Sequence, residues 1–397
     1  MVKLPLILGA IVLLMAHEKY AQSLSKGVQD FSLDLFHRIA IGSNENLMIS
    51  PYSVWSLFVL LYEGASGGTY DQLRQTLRIN VDDKTLREFS RERSQFLDVM
   101  SSGIEIHTLR GIYVANKFSI NPTYKIVLRQ YSIQPVEVDF KNLGTVRRIN
   151  EEITKATRGL IKNTVQQKDL SNAILFLISS IYFKGQWKFP FDKQMTTGLP
   201  FFDENGQFIA EVPTMIQESN FPKVRPANLG GTVLELPYGS LEWISMIVVL
   251  PDSKVPLNTV AGNLKTVGLD PILKSLADFK AKNGDAKTEI AMPKFETTTD
   301  LSLNEILSQM GIRDLFNRNS ANLDRIAPGL YASLCKHSSK IIVDEEGTTA
   351  AAAVTVSLSG RGLFNRIDLN RPFLYMIVDK QTGLLLFAGQ VRNPKAI

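Results

Sequence analysis

The stretch SPYSVWSLFVLLYEG, from Ser50 to Gly64, is apolar nearly all the way round a helical projection. Ser50 is a favoured N-cap residue, Pro51 fits the first helical position, and Gly64 is a common helix stop. A helix that is apolar on every side has no polar face to turn toward water. The sequence therefore predicts a buried helix, enclosed by other elements.

The chain has 397 residues, of which 44% are hydrophobic and 21% charged, as is typical of soluble globular proteins. Its one cysteine, Cys335, allows no internal disulfide, so the hydrophobic core alone must hold the fold together. No repeat, low-complexity segment or linker rich in Pro, Gly or Ser divides the sequence. We therefore expect a single domain over residues 22–397.

Helical periodicity dominates the first part of the chain. Val28, Phe31, Leu35 and Ile39 lie at helical spacing, and residues 300–311 show a second apolar helical face near the other end of the sequence. Both patterns predict helices with one face packed on a core.

Short β-rich segments dominate the second half. The runs TVLELPYG, ISMIVVLP and KTEIAMPKFET are typical of strands, and AILFLISSIYF (residues 173–183) is typical of a buried strand. FLYMIVDKQTGLLLFAGQV indicates a hairpin that turns at residues 381–383. These patterns predict an α+β domain with several sheets.

The N-terminus has the pattern of a secretory signal. Lys3 precedes an apolar run over residues 4–15, which is too short to span a bilayer. Ala16 and Ala21 are alternative cleavage positions. We expect a signal peptide over residues 1–21 and a secreted, extracellular product with no membrane anchor.

The charge pattern excludes some partners. The net charge of +5 is mild and dispersed, so nucleic acid is not expected. In the densest basic stretch, from Arg87 to Arg93, the arginines alternate with Glu88 and Glu92, which indicates a solvated helix face. A weak contact with a glycosaminoglycan or another anionic surface is the alternative. With one cysteine and scattered histidines, we expect no metal site and no cofactor.

The segment DEEGTTAAAAVTVSLSGRGLFNR, residues 344–366, has neither a helical stripe nor obvious turn chemistry. As a strand it would have two faces: Thr348, Ala350, Ala352, Val354, Val356 and Leu358 on one, and Thr349, Ala351, Ala353, Thr355, Ser357 and Ser359 on the other. The first face is apolar apart from Thr348, and no charge or proline interrupts either. Small side chains and flanking glycines are equally compatible with an exposed loop. The pattern therefore indicates a segment compatible with two states.

A series of short motifs resembles the serpin family in sequence and in order. These are NLMISPYSV, GASGGTYDQL, INEEITKATRGLIKNTV, IYFKGQWKFPF, LELPY, MPKF, DEEGTTAAAA, RPFLYMI and LLLFAGQVRNP. Each motif is weak alone, but together they cover essentially the whole chain after the predicted signal. The resemblance implies three β-sheets, about nine helices and an exposed reactive-centre loop of about residues 345–370.

The resemblance also implies a mechanism, in which a protease attacks a bait bond in the loop and the cut loop inserts into the main sheet with the acyl-linked protease. The family hinge corresponds to Glu345, Gly347, Thr348, Ala350, Ala351, Ala352 and Ala353. Counting from Gly347 by the family's loop length, or back from Pro372, gives a scissile bond between Arg361 and Gly362.

The bait residue implies the class of target. A long cation at Arg361 suits the primary pocket of a trypsin-like serine protease, which contains a buried Asp. Arg366 is an alternative bait that would lengthen the loop. The resemblance thus implies a secreted, monomeric suicide inhibitor of trypsin-like serine proteases.

The resemblance assigns five further residues to the region where the main sheet opens: Ser50, Ser53, Ser179, Trp187 and His337. His337 matches a buried family histidine that normally bonds an asparagine, and this chain has Ser179 in the asparagine's place. Because serine is shorter, we expect the bond of His337 to be lost or to run through water.

Two other interpretations compete with an inhibitor. The run GASGG fits the hydrolase motif G-x-S-x-G around Ser66, but that motif needs a strand before the serine, and a helix is predicted there. The second is a non-inhibitory carrier or chaperone on the same fold. The small, uncharged hinge argues against it, because non-inhibitory members tend to have bulky, charged or proline residues there.

Overall fold

The computed structural model describes residues 3–97, 103–284, 286–348 and 366–394, and their side chains except those of residues 3–19 and 95–97. The α-helices are α1 Lys3–Ile41, α2 Pro51–Gly64, α3 Gly67–Thr76, α4 Asp83–Leu97, α5 Pro122–Arg129, α6 Leu143–Ala156, α7 Gln167–Leu170, α8 Leu257–Val267, α9 Leu269–Lys282 and α10 Asn304–Met310. The strands are β1 Leu47–Ile49, β2 Ile104–Ala115, β3 Val136–Val138, β4 Leu175–Gln186, β5 Thr197–Phe202, β6 Phe208–Ser219, β7 Lys223–Val224, β8 Gly231–Pro237, β9 Ile244–Pro251, β10 Thr288–Pro293, β11 Phe295–Ser302, β12 Leu334–Val343, β13 Gly347–Thr348, β14 Arg366–Asp368, β15 Phe373–Asp379 and β16 Leu384–Val391.

The strands form three sheets. The main sheet has the order β11-β12-β4-β2-β3, with the short β13 also paired to β4. A six-stranded sheet has the order β1-β16-β15-β9-β8-β7, and a four-stranded sheet has the order β14-β10-β6-β5. The α+β class with three sheets is confirmed, and the described residues form ten α-helices where about nine were expected.

Helix α2 lies in the interior, as its apolar circumference predicts. Every residue from Pro51 to Gly64 is buried. The Oγ of Ser50 caps the helix by accepting a hydrogen bond from the backbone N–H of Ser53 at 3.2 Å. The helix packs against α1, β4 and β16, so it connects the main sheet to the six-stranded sheet.

The predicted core faces are confirmed in α1, β4 and the C-terminal hairpin. Val28, Phe31 and Leu35 are fully buried on α1, and Ile39 is 6% exposed. Strand β4 is buried at nearly every position, and β15 and β16 pair antiparallel around the expected turn.

The helix predicted over residues 300–311 is partly wrong. Asp300 to Ser302 belong to β11 and pair with residues 336–338 of β12, and the helix itself covers only Asn304 to Met310. The pairing with β12 gives these residues a hydrogen-bonded partner strand, which outweighs their helical spacing.

The basic stretch from Arg87 to Arg93 lies on α4, and its arginines differ in surroundings. Arg87 donates from Nε and Nη2 to the two carboxylate oxygens of buried Glu63, at 2.7 and 2.6 Å. Arg91 is exposed. The solvated-face interpretation therefore fits only part of the stretch.

The described residues include neither a membrane-spanning helix nor a metal-binding cluster. No helix in the described part of the chain is both long and apolar enough to cross a membrane. No group of three or more His, Cys, Asp or Glu side chains among those residues is arranged to hold a metal ion. The predicted signal peptide overlaps the first half of α1 and stays a prediction.

Candidate functional site

A tight turn links the main sheet to the predicted reactive loop. After β12 ends at Val343, the Asp344 amide donates to the Gly347 carbonyl oxygen at 2.9 Å. Oδ1 of Asp344 accepts from the amides of Glu346 and Gly347, at 3.0 and 3.2 Å. Gly347 has a φ of +144°, and a Cβ there would lie 2.1 Å from the carbonyl oxygen of Gly185. Only glycine fits this position.

The two residues of β13 form a first, short part of an additional strand beside β4. Gly347 pairs with Gln186 and Thr348 with Gly185, antiparallel to β4. Thr348 is fully buried, and its Oγ1 lies 2.9 Å from the hydroxyl of Tyr238, a core residue. Thr348 therefore points to the core side of the main sheet.

Trp187 stabilises the turn through two hydrogen bonds. Its indole Nε1 donates to the carbonyl oxygen of Asp344, and its backbone N–H donates to the carbonyl oxygen of Glu346, both at 3.0 Å. Its ring stacks on that of Tyr238, with centroids 4.5 Å apart. The turn, β4 and the end of β8 are thus tied together by one side chain.

A buried carboxylate fixes the same turn. Glu345 is 4% exposed; Thr196 Oγ1 donates to its Oε1 and Lys294 Nζ to its Oε2, each at 2.8 Å. The Phe191 amide donates to the Glu345 carbonyl oxygen at 2.8 Å. Burial alone would raise the pKa of Glu345, but the Lys294 ammonium and the Thr196 hydroxyl lower it overall. Glu345 is therefore held ionised by its partners.

The seam between β4 and β12 is closed only in part. The two strands pair in parallel from Phe176 with Leu334 to Ile181 with Ser339. Beyond Ile181, residues 182–184 of β4 pair with β2 on one side and with no described strand on the other. The described strands thus leave this side of β4 unpaired between the closed part of the seam and β13.

A buried polar cluster crosses the closed part of the seam. The Ser50 amide donates to Nε2 of His337 at 3.0 Å, and Nδ1 of His337 lies 3.3 Å from Oγ of Ser179. Ser179 Oγ lies 2.6 Å from Ser53 Oγ, and Ser50 Oγ donates to the Leu386 carbonyl oxygen at 2.7 Å. The expectation that the histidine bond would be lost or water-mediated is wrong, because Ser179 reaches His337 directly.

The ionisation of His337 follows from its surroundings. Burial lowers its pKa to about 4, although a hydrogen bond with the Ser179 backbone acts in the opposite direction. Because the Ser50 amide donates to Nε2, the neutral ring carries its proton on Nδ1, toward Ser179.

The structure brings Glu345, Gly347 and Thr348 to the top of the seam beside Trp187, and Ser50, Ser53, Ser179 and His337 to its closed part. The remaining predicted residues lie outside the described part of the chain: Ala350, Ala351, Ala352, Ala353, Arg361 and Gly362. The alternative bait, Arg366, is in β14, where its guanidinium donates to Glu289 at 3.0 Å and to Asp368 at 2.7 Å. Its side chain is committed to the four-stranded sheet.

Three contact residues were missed at the sequence level, although two lie in recognised motifs. Lys294 is the lysine of MPKF and Tyr238 is the tyrosine of LELPY, while Thr196 lies in no motif. The motifs indicated that these positions mattered, but only the fold shows that they contact the turn at residues 344–348, where the hinge is predicted.

Comparison with known proteins identifies the family of this chain. A family model described as "Serpin (serine protease inhibitor)" matches residues 26–394. The chain belongs to the serpin family. This is a family of protease inhibitors and not of enzymes. The hydrolase interpretation also fails on geometry, because helix α2 precedes Ser66 where a nucleophile elbow needs a strand.

Relatives from several organisms match this serpin over most of its length. Heparin cofactor 2 from Rattus norvegicus is 29% identical over 362 residues, covering 89% of this chain and 73% of the relative. Antithrombin-III from Mus musculus is 30% identical over 389 residues, covering 94% and 82%. Neuroserpin from Homo sapiens is 28% identical over 390 residues, covering 94% and 92%.

Solved structures share the fold. Serpin48 from the insect Tenebrio molitor is similar with a TM-score of 0.79 and 26% identity, covering 93% of this chain and 98% of that one. Human thyroxine-binding globulin has a TM-score of 0.83 at 24% identity, covering 94% and 99%, which is a likeness of fold alone.

Proposed function

We propose that this serpin is a secreted, monomeric inhibitor of trypsin-like serine proteases that acts as a suicide substrate. The protease serine attacks the carbonyl carbon of Arg361, the bond to Gly362 breaks, and the new amine of Gly362 takes a proton as it leaves. The acyl-linked loop then inserts between β4 and β12. The observation that carries the proposal is that β13 already occupies the first two positions of such a strand.

The register of β13 defines where the rest of the loop would go. Continued one residue at a time from Thr348 opposite Gly185, it would bring Ala352 opposite Ile181 and Val354 opposite Ser179. Leu358 would then lie opposite Leu175, the first residue of β4. Strand β4 is thus long enough to pair with every loop residue up to residue 358.

The orientation of Thr348 defines which loop face would be buried. Side chains alternate along a strand, so Ala350, Ala352, Val354, Val356 and Leu358 would follow Thr348 toward the core. These are the residues of the apolar face. The odd-numbered residues would turn to the side that carries α6.

Insertion of the loop would be favoured by new strand hydrogen bonds and by burial of apolar side chains. Each strand hydrogen bond contributes roughly 1 kcal/mol net, and burial of Val354, Val356 and Leu358 contributes about 2 kcal/mol each. No charge in residues 348–358 would have to leave water. The sum is on the order of 10 kcal/mol, enough to deform a docked protease.

The test is a reaction with trypsin followed by denaturing electrophoresis. We expect a higher-mass adduct that survives SDS, together with a released fragment that begins at Gly362. Arg361→Ala should abolish the adduct, whereas Arg366→Ala should still form it. A fragment that begins at Ile367, or an undiminished adduct with Arg361→Ala, would contradict the assigned bond.

Export and polyanion contact belong to the proposal as well. The expected signal peptide over residues 1–21, with cleavage after Ala16 or Ala21, precedes the family match at residue 26. A weak glycosaminoglycan contact on α4 would have to use arginines other than Arg87, whose guanidinium is committed to Glu63. Sequencing of the N-terminus of the exported protein tests the cleavage position.

A carrier is the second candidate, because thyroxine-binding globulin shares the fold. The small, uncharged hinge and the pairing of Gly347 and Thr348 with β4 favour inhibition instead. Cleavage by trypsin without any adduct, in protein that stays folded, would support the carrier.

A further inference from the structure

A cavity of about 190 Å³ lies next to the residues that hold the hinge. Two of its lining residues, Lys188 and Phe189, directly follow Trp187, and a third, Pro237, directly precedes Tyr238. The opposite wall comes from the C-terminal end of α9 and the segment before β7. None of these residues takes part in the proposed reaction with a protease.

Three aromatic rings contribute to the walls of the cavity. Phe189, Phe221 and Phe279 line it, and the rings of Phe189 and Phe221 meet edge to face at 5.9 Å. Its volume exceeds the roughly 150 Å³ of an apolar cavity that holds benzene. The space therefore accommodates one aromatic ring.

Two ammonium groups stand at the rim and share one carboxylate. Lys188 and Lys280 both donate to Glu242, one to each oxygen. Each ammonium has three N–H donors, so two on each remain after the bond to Glu242. The group of three carries a net positive charge, which favours an anionic ligand.

The other carboxylate of the lining is already neutralised. Glu235 accepts from the Lys380 ammonium at 2.5 Å and from the Ser245 hydroxyl at 2.8 Å. A cationic ligand would therefore compete with lysines for both Glu235 and Glu242. Although burial alone would raise the pKa of Glu242, the two lysines lower it overall, so it stays ionised and keeps them in place.

Glu242 lies in the turn between β8 and β9 and has an unusual backbone conformation. Its φ is +56°, a region that non-glycine residues rarely adopt and that recurs at functional sites. The turn between β8 and β9 thus holds this carboxylate, and with it both lysines, at the mouth of the cavity.

We propose that this cavity binds a small aromatic carboxylate, with its ring between the three phenylalanines and its carboxylate at Lys188 and Lys280. The site is separate from the reactive loop and goes beyond the proposed inhibition of proteases. A protein that failed to inhibit trypsin would still have it.

The test uses para-fluorobenzoate as the probe, fluorine NMR as the readout and the full chain as the protein. We expect saturable binding that Lys280→Gln weakens at least about fivefold, the loss of one charge-assisted bond at a partly exposed site. The Lys280 side chain is 53% exposed, so the variant should fold. Lys274→Gln, on the same helix but outside the cavity, is the matched control and should bind within about twofold of the parent.

Three results would overturn the site. The first is no saturable binding of para-fluorobenzoate to the parent protein. The second is equal weakening by Lys274→Gln and Lys280→Gln, which would indicate a general charge effect. The third is equally tight binding of para-fluorobenzylamine, which would show that the ammonium groups do not select the ligand.

Discussion

At the scale of single residues, His337 accepts a hydrogen bond from the Ser50 amide at Nε2, which must therefore be unprotonated. If Nε2 were protonated, its N–H and the N–H of Ser50 would be two donors facing each other with no acceptor between them. Protonation would also add a positive charge at the N-terminus of α2, where the helix dipole is already positive. His337 and Ser179 are paired in register across the seam, so insertion of a strand between β4 and β12 must break their contact.

The first prediction concerns pH. The pKa of His337 is about 4 in the folded protein and 6.5 in an ordinary setting, so the unfolded chain takes up the proton first as the pH falls. The contribution of neutral His337 to the free energy of unfolding is therefore fully present above pH 6.5. It is lost as the pH falls toward 4, by up to about 3 kcal/mol. Urea unfolding at a series of pH values measures this loss.

Two variants isolate the histidine responsible for that loss. His337→Gln should flatten the pH dependence between pH 6.5 and 4, the interval over which His337 titrates. His37→Gln, at a half-buried histidine of α1, should keep most of it. An unchanged slope in His337→Gln would show that other groups control acid sensitivity.

The second prediction concerns the carboxylate that fixes the hinge turn. Lys294→Met removes the ammonium from Glu345, which is 4% exposed and would keep only Thr196 as a side-chain partner. Because Lys294 itself is 39% exposed, we expect a loss of about 2 kcal/mol rather than the larger cost of a fully buried pair. Lys193→Met breaks the nearby pair with Glu346 at an exposed lysine and should cost much less than Lys294→Met. Equal losses of unfolding free energy in the two variants would mean that the burial of Glu345 does not increase the contribution of its ion pair to stability.

At the scale of elements, the sequence predicts correctly those helices and strands whose own residues carry one clear pattern of apolar positions. The buried helix α2 and strand β4 follow from composition alone, because apolar residues on every side admit only an interior position. Residues 300–302 were misassigned because their pairing with β12 depends on a strand more than thirty residues away in sequence. Contacts such as Glu345 with Lys294, or His337 with Ser179, depend on register and on side-chain reach, which no motif encodes.

The third prediction tests the face of the inserting strand. In the register of β13, Ala352 would face the core opposite Ile181, whereas Ala351 would face the side of α6. Ala352→Asp should leave the native fold intact but convert the inhibitor into a substrate, because a carboxylate would have to be buried for insertion to finish. Ala351→Asp is the matched control and should keep more of the trapping. The ratio of adduct to cleaved protein after reaction with trypsin measures both.

The outcome for the two aspartates decides the phase of the strand. If Ala351→Asp traps protease less well than Ala352→Asp, then the loop inserts with the opposite face inward. If both trap as well as the parent, insertion does not involve this segment.

At the scale of the whole molecule, β12 pairs with β4 as far as Ile181 and β13 pairs with β4 at Gly185, and no strand of the described residues pairs with that side of β4 in between. A cut in the loop would release residues 349–358 to complete the strand. In the proposed mechanism, the native protein is the less stable of two packings of one chain, separated by an energy on the order of 10 kcal/mol.

The last prediction follows from that difference. A metalloprotease forms no acyl-enzyme and cannot be trapped, so a nick within residues 359–365 by such a protease should release the loop alone. Because the nicked chain can complete the main sheet, its melting temperature should rise on the order of 10 °C. The nicked Ala352→Asp variant is the control and should rise much less, since the same cut then yields a strand that carries a charge into the core. Calorimetry of the four proteins, cut and uncut, measures both effects. A nicked parent that melts no higher than the intact one would show that the strand begun by Thr348 is not continued by the residues after it.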